Sequence, residues 1–211
     1  MLELSHHAEP ALYWEGGHYE LNLSFETLRD RQWQEVLHAL WDHIFLNGPL
    51  AERYIPDQPV AEKIAIQVPP PTAVVKQHGQ IAVNGYAVGC DVQATRSIFE
   101  CLSILVPIGM FKGISGGVLM RREHPDLQAL DEVFYDVALS LYSVAPFQIA
   151  VLGYERSCQL PSELCSDGEM RHNFLAAGNF LIQEAVLRLL EPDLAPYQEV
   201  RQGLYWLPAR F

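Results

Sequence analysis

Three groups of residues in this 211-residue chain have types and spacings that could do chemistry. Glu35, His38 and Asp42 fall at i, i+3 and i+7, which on a helix puts two carboxylates and an imidazole on one face. Asp42-His43 adds a second imidazole. Such a face could hold a metal ion or an acid–base pair, but the sequence identifies no further ligands, and no metal or cofactor is expected. Its other reading is a solvated surface, made acidic by Asp30, Glu35 and Asp42 and suited to contact with a partner. Lys112, followed by Gly113, Gly116 and Gly117 and then Arg121-Arg122, has the makings of an anion nest, in which backbone N–H groups and cations hold a phosphate or carboxylate. It is not a Walker loop, because the lysine precedes the glycines and the Lys-Ser/Thr ending is absent. Cys90-Asp91 is the third group. A thiol nucleophile needs a base to lower its pKa, and His78 could serve if the strands pair suitably, with Arg96 also near in sequence. Cys158, Cys165 and His172 are too widely spaced for a zinc site, whose cysteines usually sit on a tight turn. Buried or incidental thiols are the expectation for all four cysteines. Gly-x-Ser-x-Gly, His-Glu-x-x-His and paired-carboxylate signatures are absent.

Charge is laid out unevenly around these groups. Residues 1–62 carry eleven carboxylates against three cations, and residues 126–211 twelve against five. Residues 63–125 reverse the balance, with six cations and three anions, inside a chain of net charge −12. The resulting negative field attracts basic partners and repels nucleic acid and anionic membrane. The N-terminal segment, with Glu3, His6, His7 and Glu9, has neither the positive region nor the apolar core of a signal peptide. Leu102 to Phe111, the most apolar run, is too short to span a bilayer and contains Pro107. A cytoplasmic location is therefore expected.

The elements that must position these residues follow from periodicity. Leu12 to Glu15 and His18 to Phe25, joined by Gly16-Gly17, read as a β-hairpin, with Tyr19, Leu21, Leu23 and Phe25 inward and His18, Glu20, Asn22 and Ser24 wet. Thr27-x-x-Asp30 opens a helix whose stripe is Trp33, Val36, Leu37, Leu40, Trp41 and Ile44, stopped by Asn47-Gly48-Pro49. Ile64, Ile66 and Val68 alternate as a short strand ended by Pro69-Pro70-Pro71, the boundary if the chain has two subdomains. Strands are predicted from Ala73 to Val83 and Tyr86 to Thr95 about an Asn84-Gly85 turn, and from Ile98 to Met110, where Glu100 interrupts the apolar positions and Pro107 suggests an edge or bulge. A second helix begins near Pro125 with the stripe Leu127, Leu130, Val133, Phe134, Val137 and Leu141. Phe147 to Leu152 reads as a central strand, Met170 to Leu190 as a third helix and Leu204 to Leu207 as a closing strand. Tyr13, Trp14, Trp33, Trp41, Tyr205 and Trp206 are expected mostly in the core. The fold class is α+β, a single domain over residues 1–211 with a mostly antiparallel sheet and two or three amphipathic helices packed on it.

Leu12-Tyr13-Trp14-Glu15-Gly16 with Tyr19-Glu20-Leu21, the Trp-rich helix that follows, and Cys90-Asp91-Val92-Gln93-Ala94-Thr95-Arg96 together resemble α+β immunity proteins of bacterial polymorphic-toxin systems. The resemblance covers roughly the first half of the chain and implies a non-catalytic protein that binds a cognate toxin, often a nuclease, and blocks its active site. The charge balance points the same way, since carboxylates can stand in for substrate phosphates and speed encounter with a basic protein. Glu15, Glu20, Asp30, Glu35 and Asp42 are the candidate contact residues. The basic middle segment departs from a simple nucleic-acid mimic; it either lies on the far side or pairs internally with the acidic segments. The alternative is a small enzyme using Cys90 as nucleophile or an anion site at Lys112 and its glycine loop.

Overall fold

The alternating runs of the sequence become strands of one sheet. The computed structural model describes residues 13–14, 16–97, 99–111, 124–191 and 196–208. Among them are β1 (His18–Phe25), β2 (Leu46–Leu50), β3 (Val74–Val83), β4 (Tyr86–Arg96), β5 (Glu100–Pro107), β6 (Ile149–Tyr154), β7 (Phe180–Gln183), β8 (Gln198–Arg201) and β9 (Leu204–Leu207). They pair antiparallel in the order β2-β3-β4-β5-β1-β6-β7-β9-β8. Helices α1 (Asp30–Trp41), α2 (Pro125–Val144), α3 (Pro161–Ser166), α4 (Gly168–Ala177) and α5 (Glu184–Leu190) complete an α+β fold. Strands from before and after Pro69-Pro70-Pro71 share the sheet.

Alternation along the strands divides the two faces. Leu21 and Leu23 of β1 stand opposite Ile104 and Leu102 of β5, which in turn oppose Val92 and Ala94 of β4. This face carries α1 and α2, and with Trp33, Leu37, Leu40, Leu130, Phe134 and Val137 it forms the main core. The second face is covered at one end, where Ile149, Val151, Phe180, Ile182 and Leu207 pack with Leu164, Phe174, Val186 and Leu187 of α3, α4 and α5. Over β3, β4, β5 and β1 the same face presents polar side chains instead, and the candidate chemistry lies there.

Several sequence expectations are corrected. Residues 13–14 form a short helical turn, and both edges of β1 are taken by β5 and β6, so no N-terminal strand pairs with it. The two glycines serve the turn alone, with φ of 88° and 85°. Asn22 and Ser24 are buried, not wet, because the chain after β6 crosses them: Asn22 Nδ2 donates to the Arg156 carbonyl and Ser24 Oγ to that of Gln159. The first helix starts at Asp30 with Arg29 as its cap, and the Arg29 N–H donates to Gln32 Oε1 at 3.0 Å. The Leu28 N–H donates to the Glu100 carboxylate, which keeps the Thr27 region out of the helix. That helix ends at Trp41, leaving Ile44 exposed. Asn47-Gly48-Pro49 lies within the edge strand β2, a position that tolerates proline. Ile64 to Val68 forms no strand; one bridge, Lys63 to Leu50, is all that pairs there. Pro107 ends β5 in mid-sheet, not at an edge. The predicted helix from 170 to 190 is broken by Gly178 and Asn179, at φ 63° and 61°, so that Phe180–Gln183 joins the sheet. A fully buried strand and a buried helix segment are alike in hydrophobicity.

The cysteines are not all free: Cys101 and Cys158 form a disulfide across 57 residues, while Cys90 and Cys165 are free thiols. A cross-link of that span stabilises the fold by about 4 kcal/mol on chain-entropy grounds.

The ring of Trp41 explains why two neighbouring strands carry glycine. A Cβ at Gly79 would lie 2.5 Å from Trp41 Cζ3 and 3.0 Å from the Asn47 carbonyl, and one at Gly48 would also lie 2.5 Å from Cζ3. The indole is further fixed by its N–H, which donates to Gln77 Oε1 at 3.1 Å. Gly79→Ala is therefore expected to lower stability by about 2 kcal/mol through overpacking, read as a lower urea midpoint at unchanged m-value. An unchanged midpoint would mean that the ring can move aside.

Candidate functional site

The predicted contact residues separate in space. Asp30, Glu35 and Asp42 are exposed on or just past α1. Glu20 projects from the opposite face of the sheet, since its neighbours Leu21 and Tyr19 are the ones that pack under the helices. Burial raises the Glu20 carboxyl above the usual range against the hydrogen bond from Asn22 Nδ2, with Glu155 adding to the rise. Glu15 lies outside the described residues, as do Lys112, its glycines and Arg121-Arg122. Asp30 is paired with Arg96 at 2.6 Å and Glu35 with Arg31 at 2.9 Å. No group of three His, Cys, Asp or Glu among the described residues is placed to hold a metal ion.

Only the packed structure shows that α2 lies beside α1 and extends its acidic surface. The two helices and Asp42 contain seven carboxylates (Asp30, Glu35, Asp42, Asp126, Asp131, Glu132 and Asp136) and one cation, Arg31. Asp131 is directed inward, accepting from the Tyr19 hydroxyl at 2.7 Å. Glu132 and Asp136 are exposed, and Asp136 lies 3.5 Å from His43 Nε2. Ile44, two residues past Asp42 and next to His43, is an apolar side chain 83% exposed.

The register of β3 on β4 decides the fate of Cys90. His78 stands opposite Asp91, and Cys90 opposite Gly79, so the imidazole and the thiol project from opposite faces. Cys90 is fully buried in the main core, and burial, with Asp91 adding, pushes its thiol pKa far up. The expected thiol–imidazole couple does not form, and Cys90 lacks the thiolate character of a nucleophile.

His78 instead serves Asp91, at the centre of the polar part of the second face. Asp91 is inaccessible to solvent. Its Oδ1 lies 2.7 Å from His78 Nδ1, and its Oδ2 lies 2.8 Å from Arg53 Nη2 and 2.7 Å from Lys76 Nζ. Burial raises the carboxyl, but hydrogen bonds from Lys76, His78 and Arg53 together outweigh it and hold the group below the usual range. Arg53 comes from the connector after β2 and stacks on Trp14, 4.2 Å from the ring centre. The indole N–H donates to the Tyr54 carbonyl at 3.2 Å, so Trp14, partly buried against the main core, also serves as a platform for a guanidinium. His18 is close enough to feel Asp91, Lys76 and Arg53, and burial holds its pKa down. The sequence sets Cys90 and Asp91 side by side as candidates. Strand register selects the aspartate, not the cysteine, to face the histidine.

Beside the cluster runs a groove of 460 Å³ whose lining includes Gln93, Thr95, Ser103, Leu105 and Glu20. Gln93 is the register partner of Lys76 and Leu105 that of Asp91, so the groove lies next to the cluster on the same face of the sheet. The fold is thus an antiparallel α+β sheet protein with an acidic helical side and a cationic cluster on the other. No protein-family model matches the chain, and no curated protein or solved structure shows significant similarity to it. No helix among the described residues is long and apolar enough to cross a membrane.

Proposed function

We propose that this is a non-catalytic binding protein that neutralises a basic protein partner, a cognate toxin such as a nuclease, in the manner of the immunity proteins its sequence resembles. The observation that carries the reading is the acidic layer formed by α1 and α2, which offers exposed Glu35, Asp42, Glu132 and Asp136, with the exposed Ile44 following Asp42 by two residues. Exposed carboxylates accelerate encounter with a cationic surface, and an apolar side chain that becomes buried on contact lengthens the lifetime of the complex. Of the basic middle segment, Lys76 is engaged with Asp91 on the other face of the sheet. Arg96 pairs with Glu100 and with Asp30, so it neutralises one carboxylate at the start of α1 and meets none of the four named above.

The reading is tested by capturing partners from source-cell lysate with the tagged chain under a salt titration, then measuring association kinetics with the captured protein. Glu35→Lys with Asp42→Lys is expected to slow association about tenfold and flatten its salt dependence, while Ile44→Ala raises the dissociation rate about tenfold. None of the three residues is buried, so stability should change little. An on-rate unchanged in the double variant would remove this face from the site. Failure to retain any basic partner at low salt would overturn the function.

A further inference from the structure

We infer that the Arg53–Lys76–His78 cluster around Asp91 is a binding site for a small oxyanion, a phosphate or carboxylate group whose polar body lies along the adjoining groove. One cation suffices to neutralise a buried carboxylate, yet Asp91 has two, with a histidine on its other oxygen. Arg53, Lys76 and Asp91 together carry a formal charge of +1, inside a protein of net charge −12. Its donors are not used up. Apart from Asp91, Lys76 and His78 have no hydrogen-bond or ion-pair partner among the described residues, and Arg53 has only the Trp14 ring besides. The buried carboxylate takes up only part of that donor capacity. It fixes one N–H of each group and leaves the remaining N–H bonds of a guanidinium and an ammonium for a second anion.

Access exists as well. The Arg53, Lys76 and His78 side chains retain 43%, 41% and 28% of their exposure, whereas Asp91 beneath them has none. The cation–π contact with Trp14 and the ion pair to Asp91 hold the guanidinium in place, so less ordering remains to be done on binding. The groove beside the cluster offers Gln93, Thr95 and Ser103, polar groups suited to a hydroxylated or amide-bearing body. It also holds Glu20 and Glu155, which disfavour a ligand with a second anionic group at its far end. The site lies on the sheet face opposite α1 and α2, so it stands or falls independently of the partner-binding proposal.

The test is calorimetric titration of the full chain with inorganic phosphate and, separately, with acetate, against chloride at matched ionic strength. Saturable binding of at least one oxyanion is expected. The phosphate and acetate arms show which group the site takes. Lys76→Gln should weaken binding about tenfold, and Asp91→Asn should tighten it about tenfold, because the substitution removes the internal competitor for the same cations while keeping the side-chain shape. The opposite signs distinguish a real site from general loss of structure. If Lys76→Gln does not fold, the Asp91→Asn result alone decides. Absence of saturable binding by either ion would overturn the inference. So would an affinity that Asp91→Asn leaves unchanged or reduces.

Discussion

Trp33→Ala should lower the unfolding free energy by about 4 kcal/mol, well into the range for emptying a large core position. Trp33 is fully buried between α1 and the sheet, with Phe25 edge-on at 5.9 Å between ring centres. Its indole N–H donates to Glu100 Oε2 at 3.1 Å, and Glu100 is itself buried, accepting also from the Leu28 N–H and facing Arg96. Truncation thus opens a cavity and takes a donor from a buried carboxylate, two losses that act together. Trp33→Phe separates them: it keeps most of the volume, loses the donor, and should cost about 2 kcal/mol. Urea unfolding followed by circular dichroism reads both. Equal effects for the two variants would mean that the hydrogen bond dominates, and a loss below about 1 kcal/mol for Trp33→Ala would contradict the packing described.

Asp91→Asn should cost about 3 kcal/mol at neutral pH, the low end of the range for breaking a buried ion cluster, because the cations left behind still reach water. The effect has a pH signature with a definite sign. The folded-state pKa of Asp91 is depressed, so its contribution is complete above the unfolded value near 3.9 and is lost as pH falls through the folded pKa. Stability of the parent protein should therefore fall more steeply than that of the Asp91→Asn variant as the pH is lowered below about 4. Denaturation midpoints taken at intervals from about pH 6 to about pH 2.5 decide it. Parallel curves for the two proteins would show that Asp91 is not held ionised by its neighbours.

These two residues also mark how far the sequence can be read. Glu100 stands out as the polar exception in an apolar strand, and its partner Trp33 stands out as a core residue of the first helix. Nothing in either segment shows that one satisfies the other across 67 positions. Asn84-Gly85 needs no such context. Its φ values of 49° and 82° are those of a tight hairpin turn, and β3 and β4 flank it almost as the alternation requires. Where local signals conflict with long-range pairing, pairing prevails. Residues 180–183 leave the helical pattern because β6 and β9 offer ladders on both sides, and β8 (Gln-Glu-Val-Arg) becomes a strand with no apolar alternation because β9 lies beside it.

The candidate site divides along the same line. The acidic face of the first helix can be placed from spacing alone, since i, i+3 and i+7 share a face in any α-helix. Its continuation onto α2, the exposure of Ile44 and the removal of Glu20 to the far side of the sheet require the packed layers. By itself the sequence determined the α+β class, the amphipathic cores of α1 and α2, the β3–β4 hairpin and the excess of carboxylates, all of which depend on residues near one another in the chain. The tertiary structure alone decided the strand order that sets β1 between β5 and β6, the Cys101–Cys158 cross-link, and the convergence of Arg53, Lys76 and His78 on Asp91. Each depends on register between distant segments, where a shift of one residue exchanges the buried thiol of Cys90 for the ionised carboxylate of Asp91.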